Sequence, residues 1–156
     1  MAEQLDLFPE ELERIYRSGD CYDLSKPPFE VSGNGNKFSK FLSSRIEFLK
    51  SLPEDRFHIF AEGHDGLPYI YDKEKGMRVR PNDTQRDYTT VMFGKKALYL
   101  HTLVAMFFLE NDMPEVKLQV DHINNCPYDY RVSNLQWVTQ SQNMKRMHER
   151  IQDDTT

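Results

Sequence analysis

The segment from Val120 to Asn143, VDHINNCPYDYRVSNLQWVTQSQN, brings together polar side chains whose types suit chemistry. Asp121 and His122 are adjacent, and Asn134 and Asn143 follow them in order. Carboxylate and amide oxygens are ligands for hard divalent cations, and an imidazole near neutral pH can take a proton from water. The four residues together therefore predict a site that holds a metal ion and activates a water molecule.

Each of these residues also has an ordinary structural explanation. A buried Asp-His pair is more often a structural hydrogen bond, Asn134 has the type of a turn residue, and Asn143 alone would most often be a cap or surface residue. Their joint occurrence with Trp137 and with a preceding Leu-Val-Ala helix favours the functional interpretation. His101, at the start of that helix, is expected to cap or pack rather than to contact a phosphate.

The elements that must position these side chains can be read from the hydrophobic pattern. A buried helix is predicted over HTLVAMFFLEN, and two pairing strands are predicted over VKLQVDHI and NLQWVT. A closing helix follows over TQSQNMKRMHERIQ, where Thr139 and Gln142 have the spacing of a capping box. The order after the buried helix is therefore strand, loop, strand, helix.

Upstream, the pattern predicts helices first and then strands. A helix is expected from Pro9 to Gly19 and another over NKFSKFLSSRIEFLKSLP, with a loop between them. From Arg56 to His101 the period changes toward two, and the segment predicts one small antiparallel sheet of about four or five strands. The predicted fold class is therefore α+β: N-terminal helices, a small antiparallel β-sheet region and the C-terminal hairpin with its helix.

Composition limits the class of protein. The chain has 156 residues, a net charge of −5 and two cysteines without a C-x-x-C pair, which argues against a structural zinc site and a disulfide scaffold. No apolar run is long enough to span a membrane and no signal pattern opens the chain, so a cytoplasmic protein is expected. Residues 73–101 nevertheless carry seven Lys or Arg against three Asp or Glu. Such a local basic region can contact nucleic-acid phosphates.

The motifs LHTLVAMFF, VDHINN and RVSNLQWVTQSQN resemble the HNH endonuclease family, the ββα-metal nucleases, and in particular its small phage and intron homing type. The resemblance covers residues 99–145 and, weakly, the basic β region before them, which is similar to the family's N-terminal DNA-binding hairpins. It implies hydrolysis of DNA phosphodiester bonds, with His122 as general base and Asn134 holding the loop around it. It implies one divalent metal, Mg²⁺ or alternatively Mn²⁺, bound by Asp121 and Asn143. A phage protein acting in a bacterial cytoplasm is the expected setting.

Three segments are predicted: a helical segment of unknown role over 1–55, which lies outside the resemblance, a basic β-rich DNA-binding region over 56–100 and the nuclease module over 101–156. The partner is expected to be double-stranded DNA, while the first segment is expected to bind a protein partner or to mediate dimerisation. The chain ends soon after the catalytic helix, so we expect no helix-turn-helix appendage. The residues expected to contact DNA are Lys73, Lys75, Arg78, Arg80, Lys95, Lys96, Arg131, Lys145 and Arg146.

Two features leave alternatives open. Adjacent residues of a regular strand point to opposite faces, so Asp121 and His122 can face one ion only if the strand ends or bulges there. The family's usual Asp-Gly is replaced by Asn124-Asn125, and two Asn residues that tolerate left-handed conformations favour such a break.

The alternative function is a catalytically inactive, HNH-derived regulator that binds DNA or protein.

Overall fold

The computed structural model describes residues 16–155. The helices are α1 (Lys37–Lys50), α2 (Leu100–Phe108) and α3 (Gln140–Thr155). The strands are β1 (Cys21–Asp23), β2 (Phe57–Phe60), β3 (Tyr69–Asp72), β4 (Met77–Arg78), β5 (Thr90–Phe93), β6 (Lys96–Tyr99), β7 (Gln119–His122) and β8 (Leu135–Val138). The α+β fold class predicted from the sequence is confirmed. Within the described part of the chain, no helix is long and apolar enough to cross a membrane.

The predicted hairpin and closing helix are present. Strands β7 and β8 pair antiparallel, with Asp121 opposite Gln136 and His122 opposite Leu135. Helix α3 follows β8 directly, and its start is fixed by the predicted capping box: the Gln142 amide N–H donates to Thr139 Oγ1 at 3.1 Å, and the Thr139 amide N–H donates to Gln142 Oε1 at 2.9 Å. The sequence order strand, loop, strand, helix is therefore retained in the structure.

Helix α2 lies at the centre of the core. All nine of its residues are buried, and the Phe107 side chain is fully enclosed. The Trp137 indole N–H on β8 donates to the carbonyls of Ala105 and Leu109 at 3.1 and 3.3 Å, which ties the hairpin to the end of α2. A buried indole needs such an acceptor. Phe107, Phe108 and Trp137 all belong to the buried core.

The predicted single sheet is divided in two, which corrects the sequence analysis. Strands β1 to β4 form one sheet in that order, while β5 and β6 form a separate hairpin around Gly94, whose φ is +63°. Residues 81–88, which follow β4, are all exposed and begin with Pro81, which has no amide hydrogen to continue a ladder. Strand β1 was not predicted, because its three residues carry no alternating pattern and it exists through its pairing with β2.

The N-terminal predictions have separate outcomes. Helix α1 is confirmed, with the Asn36 side chain accepting hydrogen bonds from the amides of Phe38 and Ser39 at 3.0 Å each. The predicted first helix falls mostly outside the described residues, and Tyr16, near its expected end, forms an isolated antiparallel bridge with Leu109 instead. The buried core includes residues from all three proposed segments. The assignment of a separate role to each segment stays a prediction.

Candidate active site

The carboxylate of Asp121 is surrounded by donors from β8 and α3. Gln136 Nε2 donates to Oδ2 at 2.9 Å and Arg150 Nη2 donates to Oδ1 at 2.8 Å. Arg146 Nε lies 3.3 Å from Oδ2, an ion-pair distance. The Asp121 side chain is 2% exposed, so these three groups replace the water that a carboxylate would otherwise bind. A buried carboxylate needs such compensation.

Asn143 lies one turn before Arg146 on the same helix. Its side-chain amide nitrogen donates to Gln119 Oε1 on β7. Gln119 and Asp121 are two residues apart and therefore lie on the same face of β7. Helix α3 packs along this face, with Asn143 near Gln119 and the two arginines near Asp121. The structure thus places Asn143 and Asp121 on facing elements, each with a different side-chain partner.

His122 contacts a different group of residues. Its ring centroid lies 4.6 Å from that of His101 and 5.5 Å from that of Tyr88, and Tyr88 also packs on His101 at 4.8 Å. Strand β7 is regular through His122, without a bulge, and ends there. Alternation along a regular strand therefore separates the surroundings of Asp121 and His122, which is the geometric difficulty that the sequence had raised.

Burial sets the protonation of the two imidazoles. It lowers the pKa of His101 from 6.5 to about 3, and the nearby His122 acts in the same direction. Burial also lowers the pKa of His122, with Asp121 and Asp129 opposing that shift and Arg150 adding to it. His122 Nε2 and His101 Nδ1 are buried and have no hydrogen-bond partner among the described residues. At neutral pH both rings are therefore neutral, and His122 offers an unpaired nitrogen.

The loop between β7 and β8 is held by Asn134. Its Oδ1 accepts the Asn124 amide N–H at 3.0 Å, and its Nδ2 donates to Asn124 Oδ1 and to the Asp129 carbonyl at 2.9 Å each. Asn125 takes a φ of +71°, and its amide donates to the His122 carbonyl at 3.0 Å. These are the cross-hairpin hydrogen bonds that the sequence predicted for Asn134. Whether they support catalysis stays a prediction.

The donor types of Asp121 and Asn143 suit a hard cation, but the ion pairs of Asp121 close this carboxylate to one. Both carboxylate oxygens of Asp121 are already bonded, and two guanidinium groups lie where a divalent cation would have to approach. A cation beside two other positive charges is strongly disfavoured. A metal could use Asp121 only after Arg146 and Arg150 had moved.

The predicted DNA-contacting residues lie on several elements. Lys73, Lys75, Arg78, Arg80, Lys95 and Arg131 are exposed, whereas Lys96, Lys145 and Arg146 are partly buried. Some already have partners: Lys73 pairs with Asp55 at 3.0 Å, Arg131 pairs with Asp129 at 2.6 Å, and the Arg78 guanidinium lies 3.7 Å from the Tyr69 ring centroid. The group is therefore an extended, partly neutralised basic surface, and its contact with DNA stays a prediction.

Several residues contact the site from a distance along the chain. Arg150 was expected only as part of an alternative DNA-contacting surface with Lys145 and Arg146; it lies on α3 at the i+4 position from Arg146, which places both on one helix face. Gln136 and Tyr88 were not predicted, and no local sequence signal connects Tyr88 with His122. Elsewhere, on the N-terminal sheet, ligand atoms of Asp23, Asp55 and His58 lie within 4.8 Å of one another. Two of these carboxylates already accept hydrogen bonds, that of Asp23 from Ser25 and that of Asp55 from Lys73.

Comparisons with known proteins agree with the motifs of this hairpin. Residues 98–145 match the family model described as HNH endonuclease. An uncharacterized HNH endonuclease of Acanthamoeba polyphaga mimivirus is 30% identical over 109 residues, which are 67% of this chain and 27% of the relative. A second such protein of the same virus is 30% identical over 112 residues, 69% of this chain and 31% of the relative. The chain thus spans less than a third of the length of these curated relatives.

A solved structure has a similar fold. It is a structure of the HNH homing endonuclease I-HmuI, described as showing DNA binding and cleavage by that enzyme. It aligns with this chain with a TM-score of 0.51 and 24% sequence identity. The alignment covers 62% of this chain and 54% of that protein. At this identity the likeness concerns the fold. Residues 98–145, which contain Asp121, His122, Asn134 and Asn143, therefore match the HNH endonuclease family, the family whose motifs the sequence resembled.

Proposed function

We propose that this chain is a DNA endonuclease that hydrolyses phosphodiester bonds, with His122 as the general base. The observation that carries the proposal is the state of His122: a neutral imidazole with an unpaired, buried Nε2, at the end of β7 inside the segment that matches the family. A base of this kind can take the proton of an attacking water. Because Nε2 is shielded from solvent, water must gain access to it when DNA binds. Tyr88, exposed and packed on the His122 ring, is the side chain placed to move.

The surrounding residues have supporting roles in this proposal. Asn134 fixes the loop that follows His122 through its three side-chain hydrogen bonds. The basic residues of β4, the β5–β6 hairpin and α3 would contact phosphates, which position the duplex without reading its sequence. Duplex DNA is therefore the proposed partner.

A divalent cation, Mg²⁺ or alternatively Mn²⁺, belongs to the proposal through the family and through the oxygen donors of Asp121 and Asn143. When bound, such an ion would supply charge stabilisation at the phosphate. The observed ion pairs of Asp121 must open first, so we expect weak metal binding by the protein alone and tighter binding in the presence of DNA.

The same ion pairs favour a second candidate function. A chain whose carboxylate ligand is permanently held by Arg146 and Arg150 would be an HNH-derived regulator that binds DNA or protein without cutting. This second function requires the same fold and basic surface but no bound cation.

A plasmid assay separates the two functions. Supercoiled plasmid is incubated with the protein in Mg²⁺, in Mn²⁺ and in EDTA, and nicked or linear product is followed alongside DNA binding. The nuclease predicts a divalent-cation-dependent product that EDTA and His122→Ala both remove. Binding without product in either metal supports the regulator and rejects the nuclease. Thermal melting with and without EDTA completes the assay, because a melt caused by chelation would make the ion structural rather than catalytic.

A further inference from the structure

Arg146 and Arg150 form, with Asp121, a compact charge cluster between α3 and β7. Arg150 Nη2 donates both to Asp121 Oδ1 at 2.8 Å and to the His122 carbonyl at 3.1 Å. Arg146 Nη2 donates to the Ile123 carbonyl at 2.8 Å while its Nε lies near Asp121. Both guanidiniums are thus held at the end of β7, beside the backbone of His122 and Ile123.

The charges of this cluster do not balance. Two guanidiniums face one carboxylate, and among the residues whose side chains are described no second carboxylate pairs with either arginine. Arg146 Nε is buried, and its contact with Asp121 Oδ2 at 3.3 Å is an ion pair without hydrogen-bond geometry. The cluster therefore has the charge for one additional anion.

Exposure shows from which side an anion can reach the cluster. The Asp121 side chain is 2% exposed, whereas those of Arg146 and Arg150 are 15% and 25% exposed. The carboxylate lies on the inside, and the guanidiniums extend from it toward the surface. An anion arriving from solvent would meet the arginines first.

We propose that Arg146 and Arg150 form a clamp for a single phosphodiester group of DNA, and that Asp121 is the internal counterion of this clamp in the protein alone. The inference rests on the proposed function for the identity of the partner. Guanidinium groups bind phosphate oxygens in a planar, bidentate manner, and a phosphodiester carries one negative charge, the amount that the cluster lacks. Asp121 competes with the phosphate for the same donors, so binding DNA at the clamp weakens the hold of the arginines on Asp121.

The clamp extends the sequence prediction. Arg146 was expected to contact DNA, and Arg150 was expected to do so only as part of an alternative surface, whereas the counterion role of Asp121 was not predicted. A phosphate bound here would lie beside the backbone of His122, because the Arg150 guanidinium is hydrogen-bonded to the carbonyl of that residue. The clamp would then hold the strand at the end of β7 as well as contribute affinity.

The test is DNA binding in the absence of any metal. Fluorescence anisotropy of a labelled short duplex is measured in EDTA over a range of salt concentrations, using the full chain. The variants are Asp121→Asn, Arg150→Gln and the double variant Arg146→Gln with Arg150→Gln. Lys26→Gln is the matched control, because it removes one positive charge from a salt bridge elsewhere, that of Lys26 with Glu54. Circular dichroism establishes that each variant is folded.

Opposite changes are expected from the two sides of the ion pair. The double variant should bind more weakly and flatten the logarithmic salt slope by about one unit, as expected when one phosphate is no longer bound. Asp121→Asn should bind about tenfold more tightly, because removing a charged competitor frees a charge-assisted hydrogen bond for the phosphate. Lys26→Gln should leave the slope unchanged.

Equal affinity and slope in the wild type, Asp121→Asn and the double variant would overturn the clamp and make the cluster a structural brace. If Asp121→Asn fails to fold, the salt slope of the arginine variants decides alone. The outcome is independent of hydrolysis. If the wild type never nicks plasmid but shows this binding pattern, the clamp is supported and the proposed nuclease function is rejected. If the wild type nicks plasmid without the pattern, only the clamp is rejected.

Discussion

At the scale of single residues, the site is organised by the alternation of side chains along β7. Asp121 faces α3 and is bonded to its arginines, while the next residue, His122, contacts Tyr88 and His101. Neighbouring residues on a regular strand have opposite surroundings, so one residue step separates an ion-paired carboxylate from an imidazole without a hydrogen bond at Nε2. The base and the proposed cation ligand are adjacent in sequence and have different surroundings.

Replacing the proposed base tests its role directly. His122→Ala should reduce cleavage by about 10² to 10⁴, the range expected when general-base catalysis is removed. Folding and DNA affinity should change little. The measurement is the nicking rate under single-turnover conditions, with His148→Ala on the exposed side of α3 as the control. Cleavage at the wild-type rate by His122→Ala would show that another group activates the water.

The loop residue Asn134 should affect stability as well as activity. Asn134→Ala leaves the Asn124 amide and the Asp129 carbonyl without their partner, at a cost of about 1 to 3 kcal/mol in the free energy of unfolding. Urea denaturation measures this cost. Asn134→Asp keeps the acceptor for the Asn124 amide but loses both donors, so its free energy of unfolding should lie between those of the wild type and Asn134→Ala. Asn34→Ala, in an exposed loop, is the control, and an equal loss there would argue against a specific role for Asn134.

At the scale of elements, two kinds of basic surface are present. The region from β3 to β6 presents exposed lysines and arginines on short strands and turns, and α3 presents arginines that are already engaged by Asp121. Lys75, Arg80 and Lys95 make no ion pair with any residue of the described part of the chain. These side chains therefore need not break an internal contact to meet a phosphate, whereas those of α3 must exchange one anion for another.

Neutralising the first surface should weaken binding to all DNA sequences. With Arg78→Gln and Arg80→Gln combined, the logarithmic salt slope should flatten by about one unit for each phosphate that the protein no longer binds. Anisotropy titrations on two unrelated duplexes measure both effects. Arg45→Gln on α1, where the guanidinium lies 4.0 Å from the Phe41 ring centroid, serves as the control. An unchanged slope would place the DNA-binding surface elsewhere, with α3 as the next element to test.

At the scale of the whole molecule, one core supports both the proposed base and the basic surface. Helix α2 is buried over its full length and carries His101 into contact with His122, while Trp137 ties β8 to the end of α2. Two imidazoles are thereby placed in an environment that disfavours their charged forms. The protonation of the site is consequently linked to the stability of the fold.

Stability should fall as the pH decreases below about 6.5. The pKa of His101 is about 3 in the folded protein and near its ordinary value of 6.5 when unfolded, so between these values the unfolded chain binds the additional proton. The stabilising contribution is fully present above pH 6.5 and decreases as the pH falls toward 3, by up to about 1.4 kcal/mol per pH unit for one proton. His122 contributes in the same direction.

Urea unfolding between pH 7 and pH 4.5 measures this dependence. His101→Phe keeps an aromatic ring in the core and removes the titrating group, so its stability should depend less on pH. His148→Gln, at an exposed position, should retain the dependence of the parent. A His101→Phe variant with the full wild-type dependence would assign the effect to other groups.

Much of the segment that matches the family could be predicted because its determinants are local. Periodicity placed α2, β7, β8 and α3; the spacing of Thr139 and Gln142 predicted the start of α3; and the ordered motifs predicted the family. Helix α1 was predicted by the same kind of signal. These features depend on residues within a few positions of one another, and local sequence carries that information.

What the tertiary structure decided concerns residues that meet from far apart in the chain. Strand β1 exists because β2 pairs with it, and the expected single sheet became a sheet and a hairpin. Arg150 reaches Asp121 across 29 positions, and Tyr88 packs on His122 from another hairpin. The sequence by itself placed Asp121 and His122 at the end of β7 and Asn134 in the loop that follows them. Tertiary packing decided which groups contact these side chains, and hence the charge and accessibility of each. The physical reason is that a buried charged group is stable only beside a counterion or hydrogen-bond partner, which here comes from distant parts of the chain.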